Sequence, residues 1–563
     1  MRLSPKVLIV AMIVLMLCCV SAASATDVDD LVVTEDTDIL EVDDTVDSVD
    51  IVEQDESTDI KTDSVDKIEE DCSNDFIEDI DNNEIINTNE NIVVDDNTHG
   101  NLRNSSYIVV TSNQLYKYFN PNGYLKTTSN LEFQGNFKCV DFGFMRLDHL
   151  IIQNNIKIKF TNAVFNNLGL RLYSPGLSID GGLTFINNES AYLTESLYIG
   201  ANNITINNVN FNVTAPLNKT CYAINVLNSN NTQLLNNTFY YLCNYSNPDY
   251  YNYVIKVKNS ADVKVEGNNI TACLPLKTVK HYTPGLEGLD KDFVAGVAVT
   301  NSSFFNLTNN TIDITSSNRD GGYPTLDGVL LWYSDNSTIA RNKITVKDTV
   351  TSSNQYSYIY GVDVFKSNNV TVDNNTITMN ADNSGGYVGG NGTGAAYCVQ
   401  FTGGYTGAVV SNNVLTTQNH GPNAAIYSQN YDGRTNITIT GNTISVTGKG
   451  TASTWDLLTG IELQDDYATV SGNTITVNNL GAYNTGYNVY GISYCQSSPR
   501  NHTYSITGNT VTVNEGFYTI YIMNGYGCNV TGNTLNSEYG YTPYSGNQTV
   551  YVGGSNNYIG PNP

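Results

Sequence analysis

The sequence predicts an all-β chain: a right-handed parallel β-helix with three short strands per coil, preceded by a disordered acidic segment. Three observations carry that expectation. A ten-residue pattern recurs from about residue 200 onward. Its copies lie about 24 to 33 residues apart, room for three short strands and three turns. The composition also suits strands and turns: 15% of residues are charged, against a usual ~25%, and Asn, Thr, Ser, Gly and Tyr fill the gap.

The clearest copies read VTVDNNTITM (370–379), ITITGNTISV (437–446), ATVSGNTITV (468–477), YSITGNTVTV (504–513) and CNVTGNTL (528–535). The first part of each alternates apolar and polar residues, the mark of a half-buried strand. Gly441, Gly472, Gly508 and Gly532 follow, and Asn374 and Asn309 stand in the same place. Gly and Asn accept a left-handed backbone, so this is a one-residue bend. The next residue is Asn375, Asn442, Asn473, Asn509 or Asn533. It shares parity with the apolar residues after it and is expected to point inward. Stacked coil on coil, these amides would form a structural Asn ladder and satisfy backbone groups freed by the bend.

A third strand precedes each copy, as in Gly361-Val362-Asp363-Val364, Gly460-Ile461-Glu462-Leu463, Gly491-Ile492-Ser493-Tyr494 and Gly328-Val329-Leu330-Leu331. Extra length falls between the NTIT-type strand and the next Gly-led strand, so inserted loops leave the coil at one edge. Roughly eleven to fourteen coils are expected, each ~4.8 Å from the next.

Upstream, residues 1–25 read as a signal peptide: Arg2 and Lys6, the apolar run VLIVAMIVLMLCCV, then Ala23-Ser24-Ala25. Residues 26–100 read as an acidic, low-complexity, disordered spacer, with about 28 acidic side chains against Lys61 and Lys67. The formal charge of −28 therefore sits almost wholly in that segment. With no basic patch on the body, nucleic acid is not an expected partner. Residues 101–200 are expected to cap the helix with degenerate coils, and 201–563 to hold the repeats. No second apolar span follows, so no transmembrane span is expected in the mature chain. The scattered cysteines lack zinc spacing, Cys221–Cys243 being one conceivable disulfide, and neither metal nor cofactor is expected.

These features resemble the adhesin-like proteins of methanogenic archaea, which carry a signal peptide, an acidic stretch and right-handed β-helix repeats. YIVVTSNQLYKYFNPNGYL (107–125) looks like that family's entry into its helix, and the GNTI copies are similar to the repeats of pectate-lyase-like β-helices. The resemblance implies a secreted or cell-surface, extracellular protein whose partners are glycans or the surface proteins of other cells. About twenty Asn-x-Ser/Thr sites fit a glycoprotein.

The expected binding residues are Tyr387, Trp455, Tyr483 and Tyr487, in Tyr-, Gly- and Asn-rich loops that suit sugars or protein partners. The chain is read as non-enzymatic, the alternative being a polysaccharide lyase or glycoside hydrolase of the pectate-lyase-like class. The outward column Leu330, Asp363, Gln400, Tyr427, Glu462, Ser493 puts Asp363 and Glu462 about three coils apart, near 14 Å. Glycoside hydrolysis needs carboxyls ~5–9.5 Å apart. Asp465 and Asp466 are expected on opposite faces.

Overall fold

Alternation of small apolar and polar residues makes the strands, and left-handed residues bend the chain between them. In Asn436–Thr440, Ile437 and Ile439 are buried while Thr438 faces out. Gly441 then turns at φ +66°. Asn442 points inward, and Thr443–Gly448 continues with Ile444 and Val446 buried. Gly472, Gly508 and Gly532 repeat the bend at φ +63°, +65° and +68°, and Asn374 and Asn309 adopt it at φ +55° and +58°.

The computed structural model describes residues 106–562 except 143–144, 189–192, 217–218, 244–251, 279–293, 320–323, 350–357, 382–394, 420–422, 430–434, 449–456, 481–487, 495–501, 517 and 538–549. The expected signal peptide and acidic spacer lie outside the described residues.

Each coil contributes one strand to each of three parallel sheets, so the chain is a β-helix with three strands per coil. The first sheet holds the Gly-led strands, such as Tyr358–Phe365 and Val489–Tyr494. The second holds the strands before the bend, 13 of them in sequence order. The third holds those after it, such as Thr474–Asn479. Equivalent residues pair in register: Ile461 with Ile492 in the first sheet, Thr438 with Thr469 in the second, Ile475 with Val511 in the third.

One continuous core fills the interior. Near its beginning Phe185, Phe211 and Phe239 stack at 5.1 and 4.8 Å, and farther on Ile and Val take over. A short helix, Leu115–Tyr118, lies against the first coils, with Leu115 and Phe119 buried and Phe119 6.3 Å from Phe133. Cys221 and Cys243 are both buried, and no disulfide joins them.

Two polar columns run inside the wall. Asn442 Nδ2 and the Asn442 backbone N–H both donate to Asn473 Oδ1 at 2.9 Å. Asn473 does the same to Asn509, and Asn509 to Asn533. Asn375 reaches Asn442 through Asn413. The same bonds extend the column back to Asn237 and on to Asn562. At the turn between the first and second sheets, backbone N–H groups of Ser229, Ser260, Ser302 and Ser334 each donate to the hydroxyl of the next serine, ending at Ser367.

Candidate functional site

Tyr387, Trp455, Tyr483 and Tyr487 lie outside the described residues. Their segments join third-sheet strands ending at Ala381, Gly448 and Asn479 to first-sheet strands beginning at Ala395, Leu458 and Val489. All three connections therefore enter the same edge of the first sheet.

The outward face of that sheet is built by a local break in alternation. In strand Pro324–Trp332, Gly328 and Val329 both turn inward. Gly328 has to be glycine, because a Cβ there would sit 2.7 Å from Gly361 O and 2.9 Å from Ile344 Cγ2. Asp327 and Leu330 flank the pair and face outward. Asp327 is in register with Ala295 before it and Tyr360 after it. Leu330 packs with Tyr222, Tyr253, Ala295 and Ala298 in a cluster separate from the core.

Two outward columns result. One runs Asp327, Tyr360, Tyr397, Ala424, Thr459, Tyr490, Tyr518. The other runs Leu330, Asp363, Gln400, Tyr427, Glu462, Ser493, Tyr521. Tyrosine rings meet along and between them: Tyr360 stacks on Tyr397 at 5.8 Å and Tyr490 on Tyr521 at 5.0 Å, and Tyr397 lies tilted against Tyr427 at 4.8 Å. Gln400 Nε2 donates to Asp363 Oδ1 at 3.3 Å, and Gln464 Nε2 to Glu462 Oε1 at 3.0 Å. Burial pushes the Asp363 carboxyl up to about 7. Burial, and then the neighbouring Asp363 charge, push Asp327 well above the usual carboxylate range. Asp327 is 1% exposed, and neither of its carboxyl oxygens has a hydrogen-bond partner.

Sequence reasoning found the Asp363 column and missed Asp327. The signal was present: Asp327-Gly328-Val329 stands where Tyr360-Gly361-Val362 stands one coil later. Strict alternation assigns the wrong face to a residue just before two consecutive inward ones.

A second feature crosses the second sheet. Asn436, Tyr467 and Thr503 pair in one outward row, and Thr438, Thr469, Ser505 and Asn529 in the next. Gly407 and Gly527 border the first row, and a groove of about 480 Å³ opens there. Its lining offers hydroxyls, amides and two tyrosine rings, of which Tyr504 is buried and Tyr467 is 51% exposed. Among the described residues no charged side chain lines it.

Asp465 is buried inside the coil, where it accepts hydrogen bonds from Tyr405 Oη at 2.5 Å and from Ser428 Oγ. Asp466, beside it, is not buried. Among the described residues no cluster of three or more His, Cys, Asp or Glu side chains could hold a metal ion. None of their helices is long and apolar enough to cross a membrane.

No family model matches the chain, and no curated protein does. Solved structures similar to it include the Dettilon tailspike protein, at 12% identity and TM-score 0.36, covering 73% of this chain. The chain spans 62% of that tailspike's length. A point mutant of the periplasmic alginate epimerase AlgG is similar at 11% identity and TM-score 0.30, covering 76% of this chain and 87% of its own. The alginate lyase AlyF-OU02, in complex with G6, is similar at 12% identity and TM-score 0.27, covering 80% and 94%. The expectation of a non-enzymatic chain is corrected here, because a lyase and an epimerase stand among these neighbours. Likeness this distant concerns the fold and assigns no activity.

Proposed function

We propose that the protein is a secreted or cell-surface, adhesin-like protein that binds glycans along its β-helix. The second-sheet groove carries this reading. Sugars present hydroxyls for hydrogen bonding and apolar C–H faces for an aromatic ring, and the described lining of the groove supplies both partners. Rows of Thr and Ser repeat at the coil spacing, so an extended polymer meets the same groups on successive coils, and many weak contacts sum to avidity. The loop residues Tyr387, Trp455, Tyr483 and Tyr487 would add aromatic contacts at the edge of the first sheet.

Two variants test the reading: Tyr467→Ala with Thr469→Val, and the four loop aromatics changed to Ala. Each should keep its β circular dichroism spectrum while glycan-array binding weakens by about two- to tenfold or more, since an aromatic contact is worth ~0.5–1.5 kcal/mol. Full binding by both variants would sink the proposal.

A second reading, an enzyme acting on a polysaccharide, is favoured by Asp363. Burial raises this carboxyl, which among the described residues accepts from Gln400 alone, so that it can give or take a proton nearer neutral pH than an exposed one. It predicts new reducing or unsaturated ends when polysaccharides are incubated with the protein, and none with Asp363→Asn. Absence of products from neutral and acidic polysaccharides alike would count against it.

A further inference from the structure

The outward rows of the second sheet run on past the groove. Thr469, Ser505, Asn529 and Tyr558 pair in succession, so Tyr558 stands one coil beyond Asn529 in the same row. At 62% exposure it is the most open large hydrophobic side chain among the described residues. Its ring rests against Gly560, where a Cβ would come within 3.1 Å of Tyr558 Cε1. Tyr467 shares a strand with Thr469, so the two exposed rings lie three coils apart, about 14 Å along the sheet at ~4.8 Å per coil. They are offset by two residues across it, about 7 Å, so the line joining them crosses the sheet obliquely. Gly527 leaves that line open: nothing lies within 4 Å of where its Cβ would stand.

An occupant that touches both rings has to stay extended over three coils. Its units have to advance by roughly the coil spacing, ~4.8 Å, or they fall out of step with the polar row between the rings. No described residue of the lining offers a cation to a carboxylate or a sulfate. We infer that the groove and Tyr558 form one extended site for a linear, uncharged, β-1,4-linked polysaccharide lying lengthwise on the second sheet. Equatorial linkages keep such a chain straight, with successive sugars about one coil step apart. An α-linked chain coils and leaves the row. A sugar stacked by its C–H face on Tyr467 places the third one after it on Tyr558, so four sugars span the pair. Between them Thr469, Ser505 and Asn529 meet the hydroxyls of successive sugars. Resting on the glycan-binding reading of the groove, this assignment adds the class, direction and length of the chain.

The test is calorimetric titration of the full chain with cello- and xylo-oligosaccharides of two to six sugars. The wild type should bind at least one series, and affinity should rise about two- to tenfold from the trisaccharide to the tetrasaccharide, where the second ring is reached. Tyr558→Ala should erase that step, so that the two lengths bind alike. Tyr558→Phe should restore it, since the ring and not the hydroxyl makes the contact. Tyr467→Ala should weaken binding at every length. Both tyrosines are exposed, so each variant should keep its β circular dichroism spectrum and Tm. Malto-oligosaccharides, which are α-linked, and oligomannuronates, which are β-linked but charged, should bind far more weakly. A step that survives in a folded Tyr558→Ala protein would overturn the site, as would its absence from the wild type or tighter binding of either contrast series. A glycan array positive only for branched or charged sugars would also overturn it while leaving glycan binding itself standing; an array without any signal would sink both.

Discussion

Asp465 shows how one buried side chain makes the coil sensitive to pH. Its carboxyl is enclosed by Tyr405, Ser428 and Thr435, and Tyr504 Oη donates to its backbone carbonyl at 3.0 Å. Burial dominates and raises it from the usual 3.8 to about 6. A raised carboxyl favours the protonated form in the fold. Its contribution is therefore complete below pH 3.8 and lost as pH rises through about 6. The gap corresponds to roughly 3 kcal/mol. Asp465→Asn cannot ionise, yet it can still accept from Tyr405. Plotted against pH, the Tm of this variant should gain on that of the wild type between about 4 and 6 and stay ahead above that range. Parallel curves would mean that Asp465 ionises at no cost.

At the scale of the strand and the turn, glycine serves two unrelated purposes. In the first sheet it makes room. A Cβ on Gly491 would collide with Val511 Cγ1 and lie 2.6 Å from Thr519 O; one on Gly361 would meet Ile377 Cγ2 at 2.5 Å and Cys398 O at 2.6 Å. At the bend it supplies a left-handed backbone: Gly472 has φ +63° and nothing within 4 Å of a would-be Cβ. The two roles predict different substitution profiles. Gly491→Ala should cost ~1–3 kcal/mol by overpacking. Gly472→Ala should cost ~1–2 kcal/mol through backbone conformation alone. Gly472→Asn should stay closer to the wild type, because Asn374 and Asn412 already hold that conformation at φ +55°. Guanidinium unfolding of the three variants measures this, and Gly472→Asn falling below Gly472→Ala would refute the conformational account.

Along the whole solenoid, each coil packs on its neighbours alone, so stability is a chain of interfaces. The Asn column from Asn237 to Asn562 links those interfaces by a repeated polar contact. Removing one member leaves groups on both sides unsatisfied. Asn473→Leu strips the acceptor from the Asn442 N–H and Nδ2, and the donor from Ile439 O. Each buried orphan costs ~1–3 kcal/mol. Thr474 is exposed, so Thr474→Leu should change stability by no more than ~0.5 kcal/mol. The urea midpoint of Asn473→Leu should therefore lie well below that of Thr474→Leu; equal midpoints would mean that the column carries no stability.

The repeating unit could be read from the chain alone. Period-two alternation, the Gly or Asn bend and the parity of the next Asn are local properties, written within ten residues and legible without a partner strand. The outward column from Leu330 through Asp363 to Ser493 was legible for the same reason, since every coil repeats the Gly that marks it. What faces what across coils emerged only from the folded chain. Register skips connections of differing length, so the groove around Tyr467 joins residues from Gly407 to Asn529 that no local window holds together. The serine column from Ser229 to Ser367 did leave a trace, which sequence reasoning missed: each Ser stands eight residues before a ladder Asn, from Asn237 to Asn375. Asp327 needed both levels. Its motif is local, but its face depends on two consecutive inward residues, and its lack of a partner depends on the neighbouring coils, because whether a buried carboxyl has a partner is a property of the space around it.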